Sequence, residues 1–220
     1  MSAAEADALL PGAADLADEV GRAVRGEPPC GPPALNGLVT ELARVNLRQW
    51  DLEDATRDLQ ASDSVVADAK RAIDGLNLSR HRLVNEIDNA ILAELDQPTT
   101  ATLATESPGM VLDRLSVLVI RRCRTAAASS RDLAYADRLP ALDAQLTALV
   151  TALDGYLAEL RAGARRFHVH DPLKLYLGPA DRTRGDGNPT VEAPNRPPPN
   201  DGEMGDAQGR LSERRHRPVL

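Results

Sequence analysis

The sequence predicts an all-α fold: an antiparallel bundle of four long helices, with a short N-terminal helix before it and a disordered C-terminal tail after it. Three observations carry this. Apolar residues recur at three- and four-residue steps through 34–60, 64–96 and 139–160, the spacing of helices that bury one face. The run MVLDRLSVLVI at 110–120 is apolar on every side when wound at 3.6 residues per turn, as suits a helix enclosed by other helices. Aromatics are only 2% of the 220 residues, so Leu, Val and Ala carry the apolar content, and aliphatic side chains interdigitate well between helices.

Residues 13–25 predict a short, weakly amphipathic helix that Gly26 can end, and EPPCGPP at 27–33 is a linker no helix crosses. In the second helix, 34–60, Leu35, Val39, Leu42, Asn46, Trp50, Glu53 and Arg57 fall within an arc of about 80°. The stripe thus turns from apolar to polar without changing face. Glu53 and Arg57, four apart, can pair, and Leu38, Val45, Leu52 and Leu59 widen the buried face. The third helix, 64–96, carries Val66, Ile73, Leu76, Val84, Ile87, Ile91 and Leu95 on its apolar face. Asn77 and Arg80 lie within that face, and Lys70, His81 and Asp88 lie along one edge. Gly75 marks a place for close helix contact.

Segment 99–106 reads as a polar connection. Ser107 and Pro108 then start the central helix, the first as cap and the second in the first turn, where its missing N–H costs nothing. Asp113 and Arg114 sit inside its apolar run and need partners if buried. After 125–132, which suits either more helix or a turn, Leu139, Leu142, Leu146, Leu149, Leu153, Tyr156 and Leu160 form a bundle or coiled-coil seam that Gly163 can stop. Segment 164–179 reads as an arm lying back over the bundle. From 180 the chain is rich in Pro, Gly, Asp, Asn and Arg, a composition that does not fold. The domains expected are 1–33 (helix and linker), 34–178 (bundle) and 179–220 (tail).

The net charge of −7 argues against a nucleic-acid or anionic-membrane binder. No apolar run reaches the length of a membrane span, and the acidic start MSAAEADALLPG is unlike a secretory signal. Cys30 and Cys123 lack the spacing of a disulfide framework or zinc site. A soluble, reduced, cytoplasmic protein is expected. The sequence has no phosphate-cradling glycine loop, no nucleophile elbow and no Glu-x-x-His pair for a dimetal bundle. His168 and His170 flank Val169 with only Asp171 beside them, short of the three or four ligands a metal needs. No metal and no cofactor are expected.

WDLEDATRD at 50–58, KRAIDGLNLSR at 70–80, VNEID at 84–88, TESPGMVLDRLSVL at 105–118 and FHVHDPLKLYLGP at 167–179, in that order, resemble the bacterial domain-of-unknown-function family 4254. The resemblance spans about 34–178 and implies an all-helical protein with no established activity. Its motifs match Trp50, Glu53, Asp54, Arg57, Lys70, Asp74, Asn77, Glu106, Ser107, Pro108, Asp113, Arg114 and Ser116. The chain departs from the family pattern at Asp51, where a His is frequent, near 122–124, where His-Met is frequent, and at 174–177. KRAIDGLN with Arg80 is also similar to the first helix of all-helical chorismate mutases. That likeness implies Arg57, Lys70, Arg80 and Arg114 converging on a dicarboxylate and acting electrostatically.

Two functions compete. The first is an accessory or protein-interaction module, with a protein partner or a second copy of itself, whose internal ion pairs set helix register. The second is an enzyme or binder of a small anionic ligand, in sugar or secondary metabolism. Its polar pocket would be built from Asn46, Trp50, Glu53, Asp54, Arg57, Lys70, Asp74, Asn77, Arg80, Asp113 and Arg114. An internal Glu53–Arg57 pair would make Arg57→Ala cost about 3–5 kcal/mol.

Overall fold

The structure, a computed structural model, describes residues 10–30 and 33–169; the expected tail and the end of the arm lie outside them. The chain is all-α, with helices α1 (Ala13–Val24), α2 (Pro33–Ala55), α3 (Asp63–Glu94), α4 (Pro108–Ser129) and α5 (Leu139–Arg161). A 3-10 segment, Leu133–Arg138, leads into α5, and a two-residue parallel pair joins Thr102–Leu103 to Arg165–Arg166.

Helix α4 is the hub: it touches α1, α2, α3, α5 and the 3-10 segment. Its Leu112, Leu115, Ser116 and Ile120 are all but inaccessible to solvent. The start is as the sequence predicts, with Ser107 Oγ accepting from the Met110 N–H at 3.3 Å and Pro108 in the first turn. A second anchor was not legible. Asp88 of α3, fully buried, accepts from the Gly109 N–H at 2.7 Å, placing a carboxylate on the unsatisfied N–H groups of a helix start. The helices meet so closely there that a Cβ on Gly109 would stand 2.5 Å from the Val84 carbonyl oxygen and 2.8 Å from Asp88 Oδ1. Gly75, expected at such a contact, is exposed, and a Cβ there would meet nothing within 4 Å.

Helix α1 is more strongly amphipathic than expected. Leu16 and Val20 join the main core, and the helix packs on α2, α4 and α5. Its buried Glu19 accepts from Thr40 Oγ1 at 2.5 Å and from the Cys30 N–H at 2.9 Å, tying the linker to α2. Gly26 (φ 77°) and Gly163 (φ 66°) end α1 and α5 in the left-handed region that glycine adopts without strain.

Helix α2 is shorter than its periodicity predicts. Thr56 Oγ1 donates to the Glu53 carbonyl at 2.8 Å, and Asp58 accepts from the Gln60 N–H at 2.9 Å. These local bonds compete with the helical ladder and end it at Ala55. Leu59, expected on the buried face, is therefore 96% exposed. The segment after α5 does lie back over the helices as far as 169. The Ala104 N–H donates to the Arg166 carbonyl at 2.8 Å, and the buried Phe167 donates its N–H to Gln97 Oε1 at 2.8 Å.

Candidate functional site

The polar stripe of α2 meets α3 and α4 at one network. Asp113 accepts from Arg80 in bidentate fashion, Nε to Oδ1 at 2.7 Å and Nη2 to Oδ2 at 2.5 Å. The buried Asn46 donates to the same Oδ1 at 2.9 Å and to Ser116 Oγ at 2.5 Å, and that hydroxyl donates to the Asp113 carbonyl at 3.1 Å. The bond to Asp113 pushes the Arg80 guanidinium above its ordinary value, against the opposing effect of burial.

This network forms the floor of a groove. A cavity of about 320 Å³ lies over Asn46, Arg80 and Val117. A larger one of about 740 Å³ runs on toward the 3-10 segment, over Ala128, Tyr135 and Leu142. Trp50, Asp54, Arg57 and Arg121 line both, so the two adjoin.

Most charges along the groove are matched. Arg57 reaches Asp54 Oδ1 at 3.1 Å and Glu53 Oε2 at 3.8 Å. Arg124 pairs with Asp51. Arg138 lies over the Tyr135 ring, 5.3 Å from its centre. Arg121 is different: exposed and lining both cavities, it makes no ion pair with any described residue. Gln49 also lines the smaller cavity, but its amide oxygen is buried away from solvent, without a hydrogen-bond partner among the described residues. The arrangement offers an unpaired guanidinium and a half-buried indole where the two cavities adjoin.

The model of a family described as "Protein of unknown function (DUF4254)" matches residues 36–169. The chain belongs to this family. No curated protein and no solved structure matches it. The matched DUF4254 region contains the whole groove floor and every residue named along the groove. Two of the chain's departures from the family resemblance, Asp51 and the stretch 122–124, are joined by the Arg124–Asp51 pair.

Of the residues expected in a pocket, Asn46, Trp50, Glu53, Asp54, Arg57 and Arg80 line the smaller cavity of this DUF4254 chain, and Asp113 bonds two of them from below. Four do not join them. Lys70 is exposed and lines a separate cavity with Glu53, Thr56 and Ile73. Asp74 is exposed, and Asn77 is half-buried away from the lining. Arg114, expected inside the core, turns outward to Glu106. The four cations suggested by the chorismate-mutase likeness thus do not converge, because helical rotation sends Lys70 and Arg114 to other faces.

The Glu53–Arg57 pair is not internal either. The side chain of Arg57 is 71% exposed, since α2 has already ended. Such a surface pair contributes at most about 1 kcal/mol, well short of the cost expected for a buried one. Sequence reasoning missed Gln49, Arg121, Tyr135 and Arg138. Arg121 was within reach, because Asp113, Val117 and Arg121 form a four-residue row on α4. Among the described residues, no group of three or more His, Cys, Asp or Glu is arranged to hold a metal; His170 lies outside them.

Proposed function

We propose that this protein is an accessory protein that binds a small anionic ligand in the groove between the end of α2, α4 and the 3-10 segment. The observation that carries the reading is Arg121. Arg57, Arg80 and Arg124 each have a carboxylate partner, whereas Arg121 lines both cavities with none among the described residues. A guanidinium fork of this kind matches a carboxylate or phosphate. The reading is of binding rather than turnover: Glu53, Asp54 and Asp113 are engaged with arginines, and Asp137, which has no such partner among the described residues, is exposed to water where it borders the larger cavity. Two unpaired cysteines suit the reducing interior of a cell, and no described helix is long and apolar enough to cross a membrane.

The test is a thermal-shift titration of the full chain with inorganic phosphate, pyrophosphate and citrate, beside an Arg121→Met variant. A ligand at a hundred times its dissociation constant stabilises by about 2.7 kcal/mol, which a melt resolves. At least one anion should raise the melting temperature of the parent chain and lose that effect in Arg121→Met. Because Arg121 is exposed, the unliganded variant should melt like the parent. A shift that survives the substitution would place the anion elsewhere and overturn the reading.

A further inference from the structure

We infer that the ligand of this groove is a flat aromatic ring that carries an anionic group; the inference rests on the anion-binding reading above. Size is the first argument. The larger cavity alone, at about 740 Å³, is far bigger than a bare phosphate and falls in the range of sites for whole small molecules, about 300–1,000 Å³.

The walls give the shape and polarity. Trp50 is half-buried and borders both cavities, and Tyr135 lines the larger one with Ala128, Ala141 and Leu142. Two aromatic side chains among small aliphatic ones leave apolar surface to be covered, and a flat ring covers an indole face with offset stacking. A sugar phosphate would satisfy the cations, but it has only the small C–H face of its ring to lay on that wall, less apolar area than a flat aromatic ring offers. Arg121 and Arg138 both border the larger cavity, and neither has a carboxylate partner among the described residues. Against Asp137, the carboxylate of that lining with no arginine partner among the described residues, these two guanidinium groups leave a net positive charge for the anion. Carboxylate and phosphate suit the guanidinium groups equally, so the shared chemistry is an anionic aromatic compound.

The chain has one tryptophan, so its fluorescence reports on Trp50 alone. The full-length protein is titrated with 4-hydroxybenzoate, phenyl phosphate and adenosine monophosphate, and in parallel with glucose 6-phosphate, adenosine and inorganic phosphate. The ring-bearing anions should quench Trp50 and bind roughly tenfold more tightly than glucose 6-phosphate. In Trp50→Leu, followed by thermal melt, that preference should vanish while weak anion binding persists. Arg121→Gln should weaken every anion by on the order of tenfold. Adenosine binding as tightly as its monophosphate would remove the anionic part of the inference. Glucose 6-phosphate binding as tightly as the ring-bearing anions would remove the ring and leave the anion site standing. If no compound changed either the fluorescence or the melt, the anion-binding reading would fall as well.

Discussion

The network under the groove can be taken apart quantitatively. In Asp113→Ala, Arg80 loses both arms of its carboxylate partner and Asn46 loses one of its two acceptors. Removing one member of a buried ion pair costs about 3–5 kcal/mol when the survivor is sealed from water. Here the Arg80 side chain is 30% exposed toward the groove, so its freed guanidinium can take up water and the expected cost falls to about 2–3 kcal/mol. Arg80→Met leaves Asp113, whose side chain is only 13% exposed, with Asn46 as its one remaining side-chain donor. The charge left behind is the better buried of the two, so this variant should lose about 3 kcal/mol. Replacing both, as Arg80→Met with Asp113→Ala, strands no charge. The double variant should then be more stable than the sum of the single losses by about 1–2 kcal/mol. Urea melts followed by helical circular dichroism supply the four free energies, and an unchanged m-value confirms that the denatured state is comparable. Single losses that add to the double within about 0.5 kcal/mol would mean the two groups do not sense each other, and the network would not be the rigid floor described here.

Two further outcomes test other parts of the fold. Gly109→Ala should lose about 2–3 kcal/mol in urea melts, because its Cβ would press on the Val84 carbonyl and on Asp88; Gly75→Ala, where a Cβ meets nothing, should gain up to about 1 kcal/mol, and equal behaviour of the two would refute the close α3–α4 contact. Burial, with Asp88 nearby, pushes the Tyr156 hydroxyl up to about 12 from an ordinary 10, so above pH 10 the unfolded chain sheds a proton that the folded one keeps. Stability is therefore full below pH 10 and falls as pH rises toward 12, by roughly 1 kcal/mol once solvent screening of this half-buried group is allowed for. Tyr156→Phe should lose about 1 kcal/mol at pH 8 with the 2.8 Å bond to the Glu106 carbonyl, and its melts should show a smaller decline from pH 10 to 12.

The helices were legible because burial on one face leaves a period in the sequence. The seam of α5 and the stripe of α2 could be drawn residue by residue, and Ser107–Pro108 marked the start of α4 within the chain's most apolar run. Three things left no such trace. The end of α2 was decided by Thr56 and Asp58 bonding to nearby backbone, a local competition that an apolar wheel does not register. Pairing between helices was equally hidden: Asp113 was seen to need a partner, but nothing in the spacing chose Arg80 over Lys70 or Arg114. Gly75 and Gly109 could not be told apart, because a glycine's role depends on what crosses it. The candidate site was half legible for the same reason. Residues on the α2 stripe were found together, whereas the groove's far wall comes from the 3-10 segment, which has no periodic signal.

The two polar layers of the groove answer different physical demands. Asn46, Arg80, Asp113 and Ser116 lie deep, where an unpaired polar group is costly, and they satisfy one another across three helices. Arg121 lies eight residues beyond Asp113 on the same row of α4, where that row leaves the core, and water can solvate it. No partner is needed there for stability. If Asp113 carried no Arg80, its own charge would stand beneath the cavity and oppose an anion near Arg121. Neutralising that carboxylate inside the network leaves Arg121 and Arg138 opposed by Asp137 alone among the unpaired groups that line the larger cavity, as far as the described residues go. The Arg80–Asp113 pair therefore has a consequence beyond stability: an Arg80→Met variant that still folds should bind anions more weakly at Arg121, although the substituted side chain lies on the groove floor and Arg121 itself is untouched.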